Sequence, residues 1–323
     1  MEKSKLRIAV LDGYTLNPGD LSWSQLESLG QLSLYDHTPP DAVIARAIDA
    51  DVLVVNKLVL GKKEIAQLPQ LRCICVTATG YNNIDLEAAR SRQIPVCNAV
   101  GYGAASVAQH VFSLLLQWTN QVSDYHQSVQ EGQWAKSRDF CYYLDTIPEL
   151  AGKTFGIYGL GQIGQAVAKI ALAFGMHVIA HTRHPEQDLS PIQWVNLEDL
   201  FRLSDVLSLH APLSADNQHL VNRQRLSLMK PSAILINTAR GGLIHEADLK
   251  WALENRVIAA AALDVLSTEP PKEGNILFEA PNCLITPHIA WASAAARQRL
   301  MDITVANVAG FLNGRIQNNV LAC

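Results

Sequence analysis

Three glycines at fixed spacing, Gly159-Leu160-Gly161-Gln162-Ile163-Gly164, stand between an apolar run, Thr154 to Tyr158, and a helix-forming run, Gln165 to Phe174. No other feature restricts the fold as much, because a strand that turns through glycines directly into a helix is the opening unit of a βαβ sheet. Each glycine has its own task. Gly159 permits the tight turn, Gly161 lets a pyrophosphate approach the backbone, and Gly164 lets helix and strand pack closely. The unpaired N–H groups and partial positive charge of the helix N-terminus then face the diphosphate. A dinucleotide site is expected here, with Gln162 and Ile163 contributing from within the turn.

The fingerprint calls for an acidic residue about 20 positions on, where a second strand ends, to hold the adenosine ribose hydroxyls. This chain departs from it. After Val178-Ile179-Ala180 it reads His181-Thr182-Arg183, so Thr182 stands where the carboxylate belongs. A carboxylate would repel a 2′-phosphate, whereas Thr182 can donate a hydrogen bond and Arg183 can pair with the phosphate. NADP is therefore the expected cofactor, with NAD as the alternative if Arg183 is only a solvated turn residue.

The rest of the chain repeats the alternation such a unit needs. Strand-like runs follow Lys153 to Tyr158 at His177 to Ala180, Val206 to His210, Ala233 to Asn237, Ala259 to Leu263 and Cys283 to Thr286. The first hundred residues carry a separate series, with strands at Leu6 to Leu11, Gln31 to Tyr35, Asp51 to Asn56, Leu71 to Val76 and Ile94 to Asn98. Helical segments at Leu21 to Gly30, Asp41 to Ala50, Gly61 to Leu68 and Leu86 to Arg92 separate them. A long helical stretch, about Ala105 to Glu131, is apolar at Val107, Val111, Leu114, Leu115, Trp118 and Val122, and is expected to connect domains or form a dimer. The tail, Ala292 to Asn313, is one more helix with no strand after it, so it is expected to pack back on the first series. At 323 residues the chain can bury two cores. The expected fold is α/β, with two doubly wound parallel-sheet domains. A Rossmann cofactor domain, residues 101–290, would be inserted into a flavodoxin-like substrate domain, residues 1–100 plus 291–323.

Composition narrows the partners. With 26 basic against 30 acidic residues the chain has no basic stripe for a phosphate backbone, so nucleic acid is not expected. The most apolar helical stretch, Val111 to Trp118, is far short of a membrane span, and the apolar run Ile8 to Leu11 is too brief for a signal peptide. The six cysteines (Cys73, Cys75, Cys97, Cys141, Cys283 and Cys323) include no Cys-x-x-Cys pair and mostly lie in strand-like runs. They read as buried thiols of a cytoplasmic protein without a metal site.

In open α/β sheets ligands lie beyond the carboxyl ends of strands. The residues found there are Thr79-Gly80, His210-Ala211-Pro212, Thr238-Ala239-Arg240, Asp264, and His288 with Ala290; Glu269 follows Asp264 in a proline-containing loop. These types suit hydride transfer to a 2-keto acid. Arg240 can bind the substrate carboxylate with its two-pronged cation. The keto oxygen must be protonated as hydride reaches the carbon, a task for an imidazolium, and His288 is the candidate. A carboxylate on the other ring nitrogen fixes the tautomer and favours the charged form, and Glu269 is the candidate. Taken singly, each has a plainer reading: a capping arginine, a histidine ending a strand, a solvated glutamate.

Their order and surroundings resemble the D-isomer-specific 2-hydroxyacid dehydrogenase family over nearly the whole chain. The resemblance rests on Thr79-Gly80-Tyr81-Asn82-Asn83-Ile84-Asp85, the glycine turn, Asn237-Thr238-Ala239-Arg240-Gly241-Gly242, Ala262-Leu263-Asp264-Val265 with Glu269-Pro270, and Thr286-Pro287-His288-Ile289-Ala290. It implies that Arg240 binds substrate, that His288 is the acid/base and that Glu269 supports it. It further implies that Thr79 and Gly80 offer amides to the carboxylate, that Asp264 lies near the nicotinamide carboxamide and Val107 by its ring, and that the protein is a homodimer joined through its cofactor domain. Within the family, Leu11 to Trp23 and His288-Ile289-Ala290-Trp291 look like the glycerate dehydrogenase/hydroxypyruvate reductase branch, which reduces hydroxypyruvate or glyoxylate to D-glycerate or glycolate. Trp291 either narrows the pocket to two- or three-carbon acids or simply packs at the domain junction. Formate enzymes of this group carry Gln where Glu269 stands, which argues against formate more than against phosphite. From another class, a dinucleotide-sensing corepressor uses the same fold as a binding module.

Overall fold

The computed structural model describes residues 5–183 and 190–321. It divides into two compact units, Met1–Gly103 with Ala292–Cys323, and Ala104–Trp291.

The first unit is a five-stranded parallel sheet of β1 (Arg7–Val10), β2 (Gln31–Leu34), β3 (Val52–Val55), β4 (Cys73–Val76) and β5 (Val96–Cys97), in the order β2-β1-β3-β4-β5. This is the flavodoxin-like order. Its central strands, Val-Leu-Val-Val and Cys-Ile-Cys-Val, are buried along their whole length, as parallel strands covered on both faces must be. Cys73, Cys75 and Cys97 are buried thiols of this sheet; Cys323 lies outside the described residues. The C-terminal helix, Ala294–Leu312, belongs to this unit. Its buried Arg297 donates from Nη1 and Nη2 to the two carboxylate oxygens of Asp20, 2.6 Å each, and Asn307 donates to Asn98 O. The guanidinium holds the Asp20 carboxyl below its ordinary range. A tail without a strand is thus fixed by polar side chains as well as by Leu300 and Val308 in the core.

The second unit is a seven-stranded parallel sheet: β6 (Thr154–Tyr158), β7 (His177–His181), β8 (Gln193–Trp194), β9 (Val206–Leu209), β10 (Ile234–Asn237), β11 (Ala260–Leu263) and β12 (Cys283–Ile285). The order is β12-β11-β10-β9-β6-β7-β8. That is the Rossmann order with one strand added at the β12 edge. Strand alternation divides its core between the two faces. Phe155, Ile157, Ile234 and Ile236 join Val107, Val111 and Phe112 on one face, while Leu207, Leu209, Leu235 and Leu263 join Phe201 and Leu249 on the other.

Four longer helices build the layers of this unit: α1 (Ala104–Asn120), α2 (Val122–Gln130), α3 (Gln162–Ala173) and α4 (Glu246–Glu254). The single helix expected over Ala105 to Glu131 is therefore two. Gln121 adopts a left-handed backbone, φ +48°, which no right-handed helix can continue through. Val122, counted on the apolar face in the sequence, starts the new helix and is 66% exposed. The two-residue β8 has no apolar run to announce it and went unanticipated. Among the described residues no helix is long and apolar enough to cross a membrane, and no group of His, Cys, Asp and Glu could hold a metal ion.

Candidate active site

Strand order reverses at β6, whose neighbours are β7 and β9, and the glycine turn sits at its carboxyl end. Gly159 has φ +92°, and its N–H donates to His181 O at 2.9 Å. A Cβ there would lie 2.7 Å from Ala211 N, and one on Gly164 would lie 2.3 Å from Gly159 O. Both glycines are required by the protein's own packing. Gly161 is different, because a Cβ on it would meet nothing within 4 Å. It opens α3, whose first N–H groups at Gln162 and Ile163 lack partners within the helix. Open space in front of a helix N-terminus fits a diphosphate. The Thr238 hydroxyl, buried without a hydrogen-bond partner at the end of β10, is a second feature that fits a bound cofactor.

The flanking strand ends frame this turn. After β9, His210 N donates to Tyr158 O at 2.8 Å and His210 Nε2 lies 2.8 Å from the Ser208 hydroxyl. Burial pushes the His210 imidazole down to about 3, so it stays neutral. Pro212 O accepts from Asn217 Nδ2 at 2.8 Å, which ties down the turn Ala215–Asn217. After β7, Arg183 Nη1 reaches to 3.5 Å from Asp216 Oδ2 on that turn. Val107 is buried on α1 in the same core face as β6.

At the end of β10 the buried Asn237 side chain staples the loop that follows: Oδ1 accepts from Ala239 N at 3.0 Å and Nδ2 donates to Arg240 O at 2.9 Å. Arg240 is exposed, with Nη1 donating to Ala239 O at 2.7 Å. The next residue, Gly241, fits so closely that a Cβ would lie 2.0 Å from the Leu266 carbonyl carbon. That approach brings the Arg240 loop against the loop after β11. There Glu269 Oε1 accepts from Leu266 N at 2.9 Å, and Oε2 lies 2.6 Å from His288 Nδ1. With Nδ1 committed to a carboxylate, Nε2 is the ring nitrogen that can exchange a proton with a substrate oxygen. Arg240, Glu269 and His288 line one hollow together with Leu213 and Leu266.

His288 itself sits at φ +55°, a conformation disfavoured for any residue but glycine. Asp264 holds it there. The Asp264 carbonyl accepts from His288 N at 2.9 Å, while its buried carboxylate accepts from Thr286 Oγ1 (2.6 Å), Ile289 N (2.9 Å) and Ala290 N (2.8 Å). Ala290 O in turn accepts from Ser106 Oγ at 2.7 Å. His110 adds to this network, its Nε2 lying 3.0 Å from Thr286 Oγ1 and 3.5 Å from Asp264 Oδ1. His110 and Ser106 were missed in the sequence, where Thr286 stood out only as part of the segment leading to His288. The available signal was that His110 falls one helical turn after Val107.

Thr79 and Gly80 belong to the first unit, where Thr79 Oγ1 donates to Ala99 O at 2.9 Å and Thr79 O accepts from Asn98 Nδ2 at 2.8 Å. Trp291 ends the second unit, half-buried against the core that holds Val107 and Phe155.

The family described as D-isomer specific 2-hydroxyacid dehydrogenase, NAD binding domain, matches residues 112–290, which include every strand of the second unit and the hollow just described. The chain belongs to the D-isomer-specific 2-hydroxyacid dehydrogenase family. It is an oxidoreductase, with a dinucleotide-binding domain in its second unit. It is 44% identical to a hydroxypyruvate reductase of Blautia hydrogenotrophica over 320 residues, 98% of this chain and 99% of that one. A glycerate dehydrogenase of Methylorubrum extorquens is 42% identical over 285 residues, 88% and 89% of the two chains. Among solved structures, an NADPH-dependent glyoxylate/hydroxypyruvate reductase from Sinorhizobium meliloti, in complex with NADP and malonate, is 29% identical. It superposes with a TM-score of 0.80, covering 96% of this chain and 94% of that one.

Proposed function

We propose that this dehydrogenase reduces hydroxypyruvate or glyoxylate to D-glycerate or glycolate, prefers NADPH to NADH, and uses His288 as its acid/base. The observation that carries the proposal is the 2.6 Å contact of His288 Nδ1 with Glu269, in the hollow that Arg240 also lines. A bound reduced nicotinamide supplies the hydride. The chain's own residues do the rest. Arg240 binds the substrate carboxylate through its planar fork. Glu269 orients the ring through Nδ1, so His288 delivers a proton from Nε2 to the keto oxygen as charge develops on it. In the oxidation direction the neutral ring takes the hydroxyl proton back. Asp264 and His110 keep the strained His288 loop in register for both directions.

The preference for NADPH rests on Thr182 and Arg183, where a carboxylate at position 182 would have repelled a 2′-phosphate. A homodimer through the second unit is supported by large apolar side chains left exposed along α2 and the segment after it, among them Val122, Trp134, Phe140 and Tyr143. The net charge of −4 favours no nucleic-acid partner, and the cysteine usage favours the cytoplasm.

The test is loss of reduced-nicotinamide absorbance with hydroxypyruvate, glyoxylate and pyruvate, each with NADPH and with NADH. Rapid loss with the first two acids and NADPH is expected. Tight dinucleotide binding without turnover on any acid would overturn the enzymatic reading in favour of a sensing module.

A further inference from the structure

Thr182 stands at the end of β7 where the fingerprint has an acidic residue, and a carboxylate from elsewhere in the fold reaches its neighbour Arg183. β7 and β9 are the two strands hydrogen-bonded to β6, so the segments that follow them flank the glycine turn on either side. Arg183 follows β7 and Asp216 follows β9, and their 3.5 Å ion pair joins these two flanking segments beside the turn. The turn carrying Asp216 is anchored from beneath. Asn217, buried, accepts from Ser214 N at 2.7 Å through Oδ1 and donates to Pro212 O at 2.8 Å. The Asp216 carboxylate, by contrast, is 82% exposed and the Arg183 guanidinium 59% exposed, so both are accessible to a ligand on the turn.

We infer that Asp216 is a specificity-determining residue for the adenosine ribose of the dinucleotide, a carboxylate brought from the β9 side to the position that Thr182 leaves without one. It acts in two ways. Toward a 2′-phosphate, Asp216 competes for Arg183 and adds a like charge beside the incoming group. Toward a free 2′-hydroxyl, it is an acceptor of the kind the fingerprint normally supplies at the end of its second strand. The pair therefore moderates the preference that Arg183 alone would set, and lets the protein use both cofactors. Because both groups are solvated, the effect is a modest ratio and shrinks as salt is raised.

This inference rests on the dinucleotide reading of the glycine turn, but not on which cofactor wins. The experiment is a fluorescence titration of the full chain with NADPH and with NADH, at low and high salt, for the wild type, Asp216→Asn, Asp216→Ala, Arg183→Ala and the Arg183→Ala/Asp216→Asn double variant. Asp216→Asn is expected to tighten NADPH by roughly 2- to 5-fold and to weaken NADH by up to roughly 2-fold at low salt. In the Arg183→Ala background the gain for NADPH should fall below about half of that, since the contested cation is gone. Asp216→Ala should shift the ratio in the same direction, and unchanged melting temperatures will show that the turn is intact. A ratio of the two affinities that moves less than about twofold in both Asp216 variants overturns the inference, as does a parallel change for both cofactors. A wild type that prefers NADH would instead refute the NADPH preference proposed above while leaving the Asp216 ratio still to be read from the same titrations.

Discussion

Replacing Gly241 by alanine sets a Cβ 2.0 Å from the carbonyl carbon of Leu266, 2.1 Å from its oxygen and 2.4 Å from Ser267 N. All three atoms are backbone, so no side-chain rotation relieves the clash. Restoring an ordinary carbon contact of about 3.4 Å requires the two loops to part by roughly 1.4 Å. One of them carries Arg240 and the other carries the Leu266 amide that fixes Glu269 Oε1. On the roles proposed for them, the Arg240 guanidinium is then displaced from the His288 imidazole, and a misplacement of about 1 Å is enough to cost roughly 100-fold in rate. Overpacking a backbone contact should also lower stability by about 1–3 kcal/mol. Urea denaturation will read the second effect and kcat/KM for hydroxypyruvate the first. A Gly241→Ala variant within twofold of wild-type kcat/KM would refute the argument that this contact sets the distance between Arg240 and Glu269.

Gly161→Ala gives the opposite result, because no protein atom lies within 4 Å of the added methyl group. Its melting temperature should match the wild type while the dissociation constants of NADPH and NADH rise by about 10-fold or more, and unchanged binding would show that nothing approaches that face. His210 makes stability depend on pH. Its folded value of about 3 lies below the ordinary 6.5, so the unfolded chain binds an extra proton between the two. The contribution is complete above pH 6.5 and is lost as pH falls, by up to about 1.4 kcal/mol per unit. Urea midpoints between pH 7 and 5 should fall less steeply for His210→Asn than for the wild type. His110→Ala should lower kcat several-fold through the His288 loop, and His110→Gln, which restores a donor toward Thr286, should recover most of it.

The two sheets were legible because buried parallel strands write long apolar runs, as Val52 to Val55 and Cys73 to Val76 do, and because glycines with strand before and helix after have few other uses. The candidate site residues were legible as chemical types at strand ends. What their chemistry could not reveal was how they are held. Asp264 was expected beside the nicotinamide carboxamide; its two carboxylate oxygens accept from Thr286, Ile289 and Ala290 and hold His288 at positive φ. The Arg183 contact with Asp216 spans 33 positions and exists only because β7 and β9 flank β6. The break at Gln121 carries no glycine or proline to mark it; the backbone alone turns left-handed there. Sequence periodicity reports what a helix face buries. It does not report where a non-glycine residue is made to turn.

The most direct measurement is single-turnover hydride transfer in His288→Asn with NADPH already bound. The account predicts that NADPH binds within about twofold of the wild type while transfer to hydroxypyruvate slows by 10²-fold or more, the loss expected when a general acid is removed. Transfer at close to the wild-type rate in that variant would contradict the assignment of the proton to His288.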